Sequence, residues 1–280
     1  MRNKNCIQKN CANHALLIFS ILIFPKKINT GFFIFFALMK KLLLSLSLFI
    51  ANSLFFSIHA QSQFSGWLAS FNTFKTGKKI SIHADIQWRS SDELKHTQTL
   101  LLRSGLNIHF TKQLIITGGY AFIHNRRTIG TVNGYAPEHR IWEQLLYNHK
   151  LKNIFVSHRF RLEQRFISKS TVVNNELKND GSLYANRLRY FIRNVLPFQQ
   201  QKSFTKGVFA ALQNEVFVNI GNTANVNGKF FDQNRFYLAL GYRLNSAFDL
   251  ETGYLNQYIT GRNKTFTNNH VWQVAGYLRL

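Results

Sequence analysis

Charged side chains recur at every second position in two segments of the chain. Alternate residues of a β-strand lie on the same face, so each segment would present a row of charges on one side. Guanidinium and carboxylate groups can pair, and arginines in excess of the carboxylates attract anions. The spacing therefore predicts ion pairing, anion attraction or both. The two rows are Arg159, Arg161, Glu163 and Arg165, and Arg187, Arg189 and Arg193.

Evidence for catalytic or metal chemistry is weaker. After residue 60 the chain has no cysteine and no His-Glu-x-x-His motif, and its histidines are scattered. Ser157 and His158 are adjacent, but adjacent residues of a strand point to opposite faces, so they are unsuited to act as a catalytic pair. We predict no catalytic residue, no metal site and no cofactor. A barrel-embedded enzyme that modifies lipids is the less favoured alternative.

The charged rows belong to a pattern of period two that covers most of the chain after residue 60. In its clearest segment, Ile80, Ile82 and Ile86 fall on one face while Asp85 and Arg89 fall on the other. Such alternation predicts two-faced strands. The predicted strands lie near residues 64–75, 79–90, 97–110, 114–125, 138–150, 154–168, 183–196, 207–220, 232–244, 248–260 and 268–280. They exceed the usual length of about 5–6 residues and the roughly 9–11 residues that a tilted strand needs to cross a bilayer.

The connections between these strands alternate in length. Tight turns are predicted near residues 76–78, 111–113, 151–153 and 245–247, with a longer exception at 197–206. Longer polar loops are predicted at residues 125–137, 168–182, 221–231 and 261–267. This alternation is typical of outer-membrane barrels, whose tight turns face the periplasm and whose longer loops face outwards.

The predicted fold is therefore all-β: a closed antiparallel transmembrane β-barrel. Eleven strands are recognisable, yet bacterial barrels of this kind have an even number, and antiparallel closure of eleven strands would leave the first and last strands pointing the same way. We therefore favour twelve strands, with ten as the alternative. A soluble barrel would place its apolar face inside, whereas charged rows on the opposite face favour lipid outside and a polar lumen inside.

A set of charged residues is predicted to converge in this lumen. Two interpretations stay open. The residues form a paired network that fills a narrow barrel and keeps it closed, or the surplus arginines line a narrow pore that favours small anions. The predicted set is Glu138, Arg140, Arg159, Arg161, Glu163, Arg165, Arg187, Arg189, Glu215, Arg235 and Glu251.

The first 60 residues are predicted to lie outside the barrel. They contain seven basic residues and no acidic residue. From Met39 a basic start is followed by the apolar run Leu42–Ile58 and a small residue, Ala60, which predicts a Sec signal peptide over residues 39–60. A retained anchor helix over the same run is the alternative. Residues 1–38 are then predicted to be an upstream extension from a start codon placed too early, and residues 61–280 are the barrel domain.

The chain carries a formal charge of +23, which raises the question of its partners. Nucleic-acid binding is the generic inference from a basic chain, but predicted export argues against it. We expect contacts with outer-membrane lipid and lipopolysaccharide phosphates, and recognition of the last strand by the barrel-assembly machinery. The predicted loop cations are Arg126, Arg127, Lys169, Lys178, Lys229, Arg262 and Lys264.

Six short motifs occur in an order that resembles one family of unknown function. The motifs are Glu138–Gln144, Arg159–Phe166, Arg187–Tyr190, Asn214-Glu215, Asp232–Arg235 and Gly253–Gln257. Together they resemble the exported family numbered 2490 among the domains of unknown function. The resemblance implies an outer-membrane barrel, commonly from Gram-negative, Bacteroidetes-like bacteria, and it brings no known substrate, cofactor or catalytic residue.

Taken together, these patterns predict a non-enzymatic outer-membrane barrel with a charge-paired lumen. A narrow pore for small anions is one interpretation of its activity. A structural or adhesion barrel, whose outer loops bind a partner or lipopolysaccharide, is the alternative from a different functional class.

Overall fold

The computed structural model describes residues 61–199 and 203–280. The predicted signal peptide and upstream extension lie outside these residues. Within them, none of the helices is long and apolar enough to cross a membrane. The strands are β1 (Gln61–Lys75), β2 (Ile80–Ser91), β3 (His96–His109), β4 (Leu114–Ile129), β5 (Val132–Leu151), β6 (Ile154–Val173), β7 (Glu176–Pro197), β8 (Gly207–Ile220), β9 (Phe231–Asn245), β10 (Phe248–Thr260) and β11 (Phe266–Arg279), with a short 3₁₀ helix at Thr223–Asn225.

These eleven strands of the described residues form one closed barrel. Each strand pairs antiparallel with the next, and β1 also pairs with β11. The prediction of an all-β closed barrel is confirmed. Because every one of these strands pairs with a neighbour on each side, none of them is an edge strand with an unpaired backbone.

The predicted count of twelve strands, and the alternative of ten, are wrong for the described residues. The strand that closes the barrel is parallel: Gln61 pairs with Thr267, and the register continues to Thr73 with Arg279. The chain reverses its direction ten times between β1 and β11, so these two strands run in the same direction. A parallel pair still satisfies the backbone hydrogen bonds, and the assumption that closure had to be antiparallel was the error.

Two of the four predicted long loops are also wrong. Residues 125–137 and 168–182 fall largely in β4 to β7, which close in two-residue turns at residues 130–131 and 174–175. Asn174 and Asn175 have φ angles of 51° and 60°, the conformation that such tight hairpin turns require. Both faces of these hairpin tips are exposed, so polar residues occur on both faces without alternation. The sequence of such a tip resembles that of a polar loop.

The connections define two ends of the barrel. The loop end carries residues 92–95, 130–131, 174–175, 221–230 and 261–265, and the turn end carries residues 76–79, 110–113, 152–153, 198–199, 203–206 and 246–247. The 3₁₀ helix lies in the longest connection at the loop end.

Apolar side chains line the outside of the barrel and polar side chains line the inside. Ile86, Leu240 and Trp272 are 53%, 59% and 52% exposed. On the inner face, Asp85 is 2% exposed and Ser81 is fully buried. This distribution is the reverse of that in a soluble barrel, in which the apolar face is buried.

One inner cluster depends on two glycines. Trp142 is buried together with Leu101 and Ile123, and its ring lies over Gly105 and Gly119. A Cβ atom at Gly119 would stand 2.6 Å from Cζ2 of Trp142, which is too close for any side chain.

We expect Gly119→Ala to lower the free energy of unfolding by about 1–3 kcal/mol, because the added methyl group overpacks this cluster. Gly118→Ala is the matched control, since a Cβ atom there meets nothing within 4 Å. Urea unfolding of the purified protein measures both. Equal unfolding midpoints for the two variants would show that the ring does not require Gly119.

Candidate functional site

All eleven residues of the predicted lumen set lie on the inner face of the barrel. Arg161 and Glu163 are each 2% exposed, and Glu251 is 1% exposed. Ten of the eleven lie on β5 to β9, and Glu251 lies on β10. The set does not form a single network: eight members form a central group, Glu251 pairs with an arginine outside the set, and Arg161 and Arg235 have no ion pair among the described residues.

Glu163 is the centre of the main group. Its Oε2 atom accepts from Nη2 of Arg187 at 2.7 Å and lies 3.6 Å from Nη1 of Arg140, while Arg189 donates to its Oε1 atom. Arg187 also donates from Nη1 to Asp232 at 2.9 Å. One carboxylate therefore serves three guanidinium groups, which makes this the most heavily shared anion of the lumen.

Glu138 and Glu215 extend this group in both directions. Glu138 accepts from Nε of Arg140 and from Nε of Arg165, each at 2.6 Å. Glu215 accepts from Arg159 and from Nη2 of Arg189, each at 2.7 Å. The result is a continuous run of alternating charges from β5 to β8, and such charge-assisted bonds are stronger than neutral ones.

Glu251 is separate from this group. It pairs across the lumen with Arg193 of β7 and accepts from the hydroxyl of Tyr277 at 2.7 Å. Nearer the turn end, Asp249 accepts from Nε of Arg243 and from Nη2 of Arg279, each at 2.7 Å. The lumen thus contains a second ion-pair region on β7 and β9 to β11.

The predicted set missed several charged residues of the lumen. Asp85 lies 3.2 Å from Nε of Arg103 and 2.9 Å from Nε2 of His83. Arg89, Arg193 and the partner of Arg187, Asp232, were missed as well. The alternation in β2 was the signal for Asp85 and Arg89, because both share a face with Ser81. In β3 both faces mix polar and apolar residues, which concealed Arg103.

Three arginines of the lumen have no ion pair with a carboxylate among the described residues: Arg89, Arg161 and Arg235. Arg161 donates from Nε and Nη2 to Oε1 of Gln144 at 3.0 and 2.6 Å, and its buried Nη1 atom has no partner within the described part of the chain. The guanidinium carbons of Arg89 and Arg235 lie 4.1 and 5.2 Å from the ring centre of Trp67. Aromatic rings and amides stabilise a cation but do not neutralise it.

Three cavities follow one another along the lumen, with volumes of about 510 Å³ at the loop end, 180 Å³ in the middle and 410 Å³ at the turn end. Arg89 lines all three, and Arg103, Arg189 and Arg235 line both the middle and the turn-end cavities. Anything that passes through the lumen therefore meets these four arginines, of which Arg89 and Arg235 lack a paired carboxylate among the described residues.

The predicted loop cations are more dispersed. Arg126, Arg127, Lys169 and Lys178 lie on the extended strands β4, β6 and β7, so only Lys229, Arg262 and Lys264 are in loops. Arg126 lies 3.6 Å from Asp92. Arg262 donates to the backbone oxygens of Val226 and Ala224, each at 2.7 Å. Arg127, Lys169 and Arg262 line one further cavity of about 490 Å³ at the loop end, while Lys178, Lys229 and Lys264 do not.

Serine–histidine contacts in the barrel do not resemble a catalytic pair. Ser157 donates to Asn148, whereas His158 contacts the exposed Tyr190 on the outer face. Ser81 lies 2.8 Å from Nε2 of His109, but its oxygen is fully buried and already accepts from Asn107. No cluster of three or more potential metal ligands occurs in residues 61–199 and 203–280.

We expect Glu163→Gln to lower the free energy of unfolding by about 3 kcal/mol, because the neutral amide leaves Arg187 and Arg189 undercompensated. Glu176→Gln removes the same charge from an exposed position at the tip of the β6–β7 hairpin, where the effect stays below about 1 kcal/mol. Urea unfolding measures both variants. A Glu163→Gln protein as stable as the wild type would contradict the central role of this carboxylate.

Comparisons with known proteins identify the family of the chain. Neither the curated proteins nor the solved structures yielded a match. The family described as "Protein of unknown function (DUF2490)" matches residues 64–268, which include β2 to β10, most of β1, the first three residues of β11 and the whole lumen set. The chain therefore belongs to this DUF2490 family.

Proposed function

We propose that the protein is a barrel of the outer membrane of a Gram-negative bacterium, reached after Sec export, and that its lumen is a narrow path for small anions. The observation that carries the proposal is the inverted distribution of side chains, with apolar groups exposed outside and ion pairs inside. Exposed apolar patches of this extent are rare on soluble monomers. In a lipid bilayer these apolar side chains are removed from water, which stabilises the barrel.

The outer surface supports this location in a second way. Within lipid every polar group needs a partner in the protein. Several outward-facing polar side chains of the barrel pair with their neighbours: the hydroxyl of Tyr120 contacts Nδ1 of His139, and the hydroxyl of Tyr190 lies 3.0 Å from Nδ1 of His158. Similar contacts join Tyr254 and His270.

The surplus of arginine supports a preference for anions. Arg89 and Arg235 lie where the middle and turn-end cavities meet, and neither is neutralised by an ion pair in the described chain. A ring of unneutralised cations in a pore attracts anions and repels cations. The middle cavity of about 180 Å³ admits only small solutes, so the conductance is expected to be low. We propose a non-enzymatic role, because the serine–histidine contacts described above are not arranged as a catalytic pair.

We expect the purified protein to form small, anion-selective channels in a planar lipid bilayer. Under a potassium chloride gradient, the reversal potential should have the sign of chloride selectivity. Arg89→Gln should shift this potential towards zero, because it removes an unpaired cation from the narrowest region. Arg127→Gln removes the same charge from an exposed position of β4 and should leave the potential unchanged. Absence of conductance, or a preference for cations, would overturn the pore.

Surface recognition is the second candidate function, and the shape of the loop end favours it. The β4–β5 and β6–β7 hairpins extend beyond the others and contact each other, since Asn179 donates from Nδ2 to the backbone oxygen of Tyr135 at 3.1 Å. Leu177 packs against Gly134 in the same region. Beside them lies the cavity lined by Arg127, Lys169 and Arg262, which suits the phosphate groups of lipopolysaccharide.

We expect the double variant Arg127→Ser, Lys169→Ser to bind lipopolysaccharide about 30-fold more weakly, at about 1 kcal/mol for each cation near an anionic surface. The control is Lys112→Ser, Lys152→Ser, which removes the same charge from exposed positions at the turn end. Retention of lipopolysaccharide by the purified variants is the measurement. Equal loss in both double variants would show a dependence on net charge rather than on this cavity.

A further inference from the structure

We infer that the turn-end cavity is a binding site for one small organic anion with an apolar body. The inference shares with the proposed function the requirement for a polar, anion-attracting lumen, but it does not require conduction. It rests on three features of the cavity: an uncompensated charge, an apolar wall and a suitable volume.

The charge of the cavity is strongly positive. Eight arginines line it, against two carboxylates, Asp85 and Glu215. Both carboxylates are already engaged, Asp85 by Arg103 and His83 and Glu215 by Arg159 and Arg189. The three arginines without an ion pair, Arg89, Arg161 and Arg235, all line this cavity.

Arg161 is the best-defined anchor for an anion. Its side chain is almost fully buried, and its carbon Cζ lies 4.5 Å from the ring centre of Trp142. Two of its nitrogens are held by Gln144, which fixes the guanidinium plane, while Nη1 is left without a partner in the described chain. A buried guanidinium nitrogen needs an acceptor. Because Nη1 is itself buried, a carboxylate or phosphate oxygen in the cavity reaches it only after a small movement of the neighbouring side chains.

The wall of the cavity supplies an apolar surface for the body of the ligand. Phe71 and Tyr277 stack with their ring centres 5.0 Å apart, and Phe191 and Leu255 also line the cavity. The middle cavity lacks such a wall: apart from two aliphatic side chains it is lined by polar residues, seven of them arginines. An inorganic ion would satisfy the middle cavity, whereas an anion with an apolar body suits the turn-end cavity.

The volume fits a ligand of this kind. The turn-end cavity holds about 410 Å³, within the range of about 300–1,000 Å³ that is usual for small-molecule sites. Most small-molecule sites contain only a few charged groups, so the eight arginines of this cavity favour an anion over a neutral ligand. Aromatic or branched-chain monocarboxylates, sulfonates and phosphate monoesters meet these requirements.

Benzoate is a suitable probe, because one neutral relative and one smaller charged relative test the need for a charge and the need for an apolar body separately. Benzyl alcohol keeps the ring without the charge, and acetate keeps the charge without the ring. Isothermal titration calorimetry of the purified full chain in detergent should show saturable binding of one benzoate, with both relatives at least about tenfold weaker. Equal binding of acetate, equal binding of benzyl alcohol, or no binding of benzoate would each overturn the inference.

Variants locate the site. Arg161→Gln should weaken benzoate binding about tenfold, because it removes the charge-assisted bond. Arg235→Gln is the second variant, and keeps the test decisive if Arg161→Gln does not fold. Lys112→Gln is the control and should bind as the wild type does, because Lys112 is exposed and lines none of the four cavities described above. Unchanged affinity in the folded lumen variants would place benzoate elsewhere and refute the site.

The outcome is independent of the conductance experiment. Benzoate binding without conductance would retain the site and remove the pore, whereas conductance without benzoate binding would retain the pore and remove the site.

Discussion

Ionised side chains in a narrow lumen have to be compensated by partners of opposite charge or by water, because an isolated buried charge costs several kcal/mol. In this barrel the compensation is partly direct and partly diagonal. Glu163 faces its partner Arg187 directly. Like charges also face each other, Arg161 with Arg189 across β6 and β7 and Arg140 with Arg165 across β5 and β6. Glu138 pairs with both Arg140 and Arg165, whereas in the other arginine pair Glu163 reaches Arg189 only and Arg161 is held by Gln144. The carboxylates, although fewer than the arginines, therefore determine which strand registers are acceptable.

The same constraint connects the inside of the barrel to its outside. A shift of one residue in the register of a strand exchanges its two faces. For β6 or β7 that shift would expose a row of arginines and bury a row of large apolar side chains in the lumen. Both faces thus favour the same register, and the buried apolar clusters inside the barrel add to this preference. The parallel pairing of β1 with β11 closes the cylinder without disturbing this arrangement.

The sequence predicted the regular parts of this structure well, because the alternation of side chains is visible within each strand. Strands β8 and β10 have the predicted bounds, because buried and exposed positions alternate along them. The tips of β5 to β7 were missed because neither of their faces is buried. The closure was missed because the pairing of β1 with β11 joins residues about 200 positions apart, and no local pattern reports it. The same holds for the site: the inward positions of Arg161 and Glu163 followed from alternation, whereas the partnership of Arg193 with Glu251 crosses the lumen between strands that are not neighbours.

The central claim is that the apolar face of the barrel contacts lipid and the charged face does not. Residues 61–280 contain no cysteine, so single cysteines can be introduced along β9 at positions 236 to 240 and spin-labelled in lipid vesicles. Accessibility to oxygen, which concentrates in lipid, should be high at Phe236, Leu238 and Leu240 and low at Tyr237 and Ala239. High oxygen accessibility at Tyr237 and Ala239, or high accessibility of the even positions to a water-soluble nickel reagent, would contradict the account.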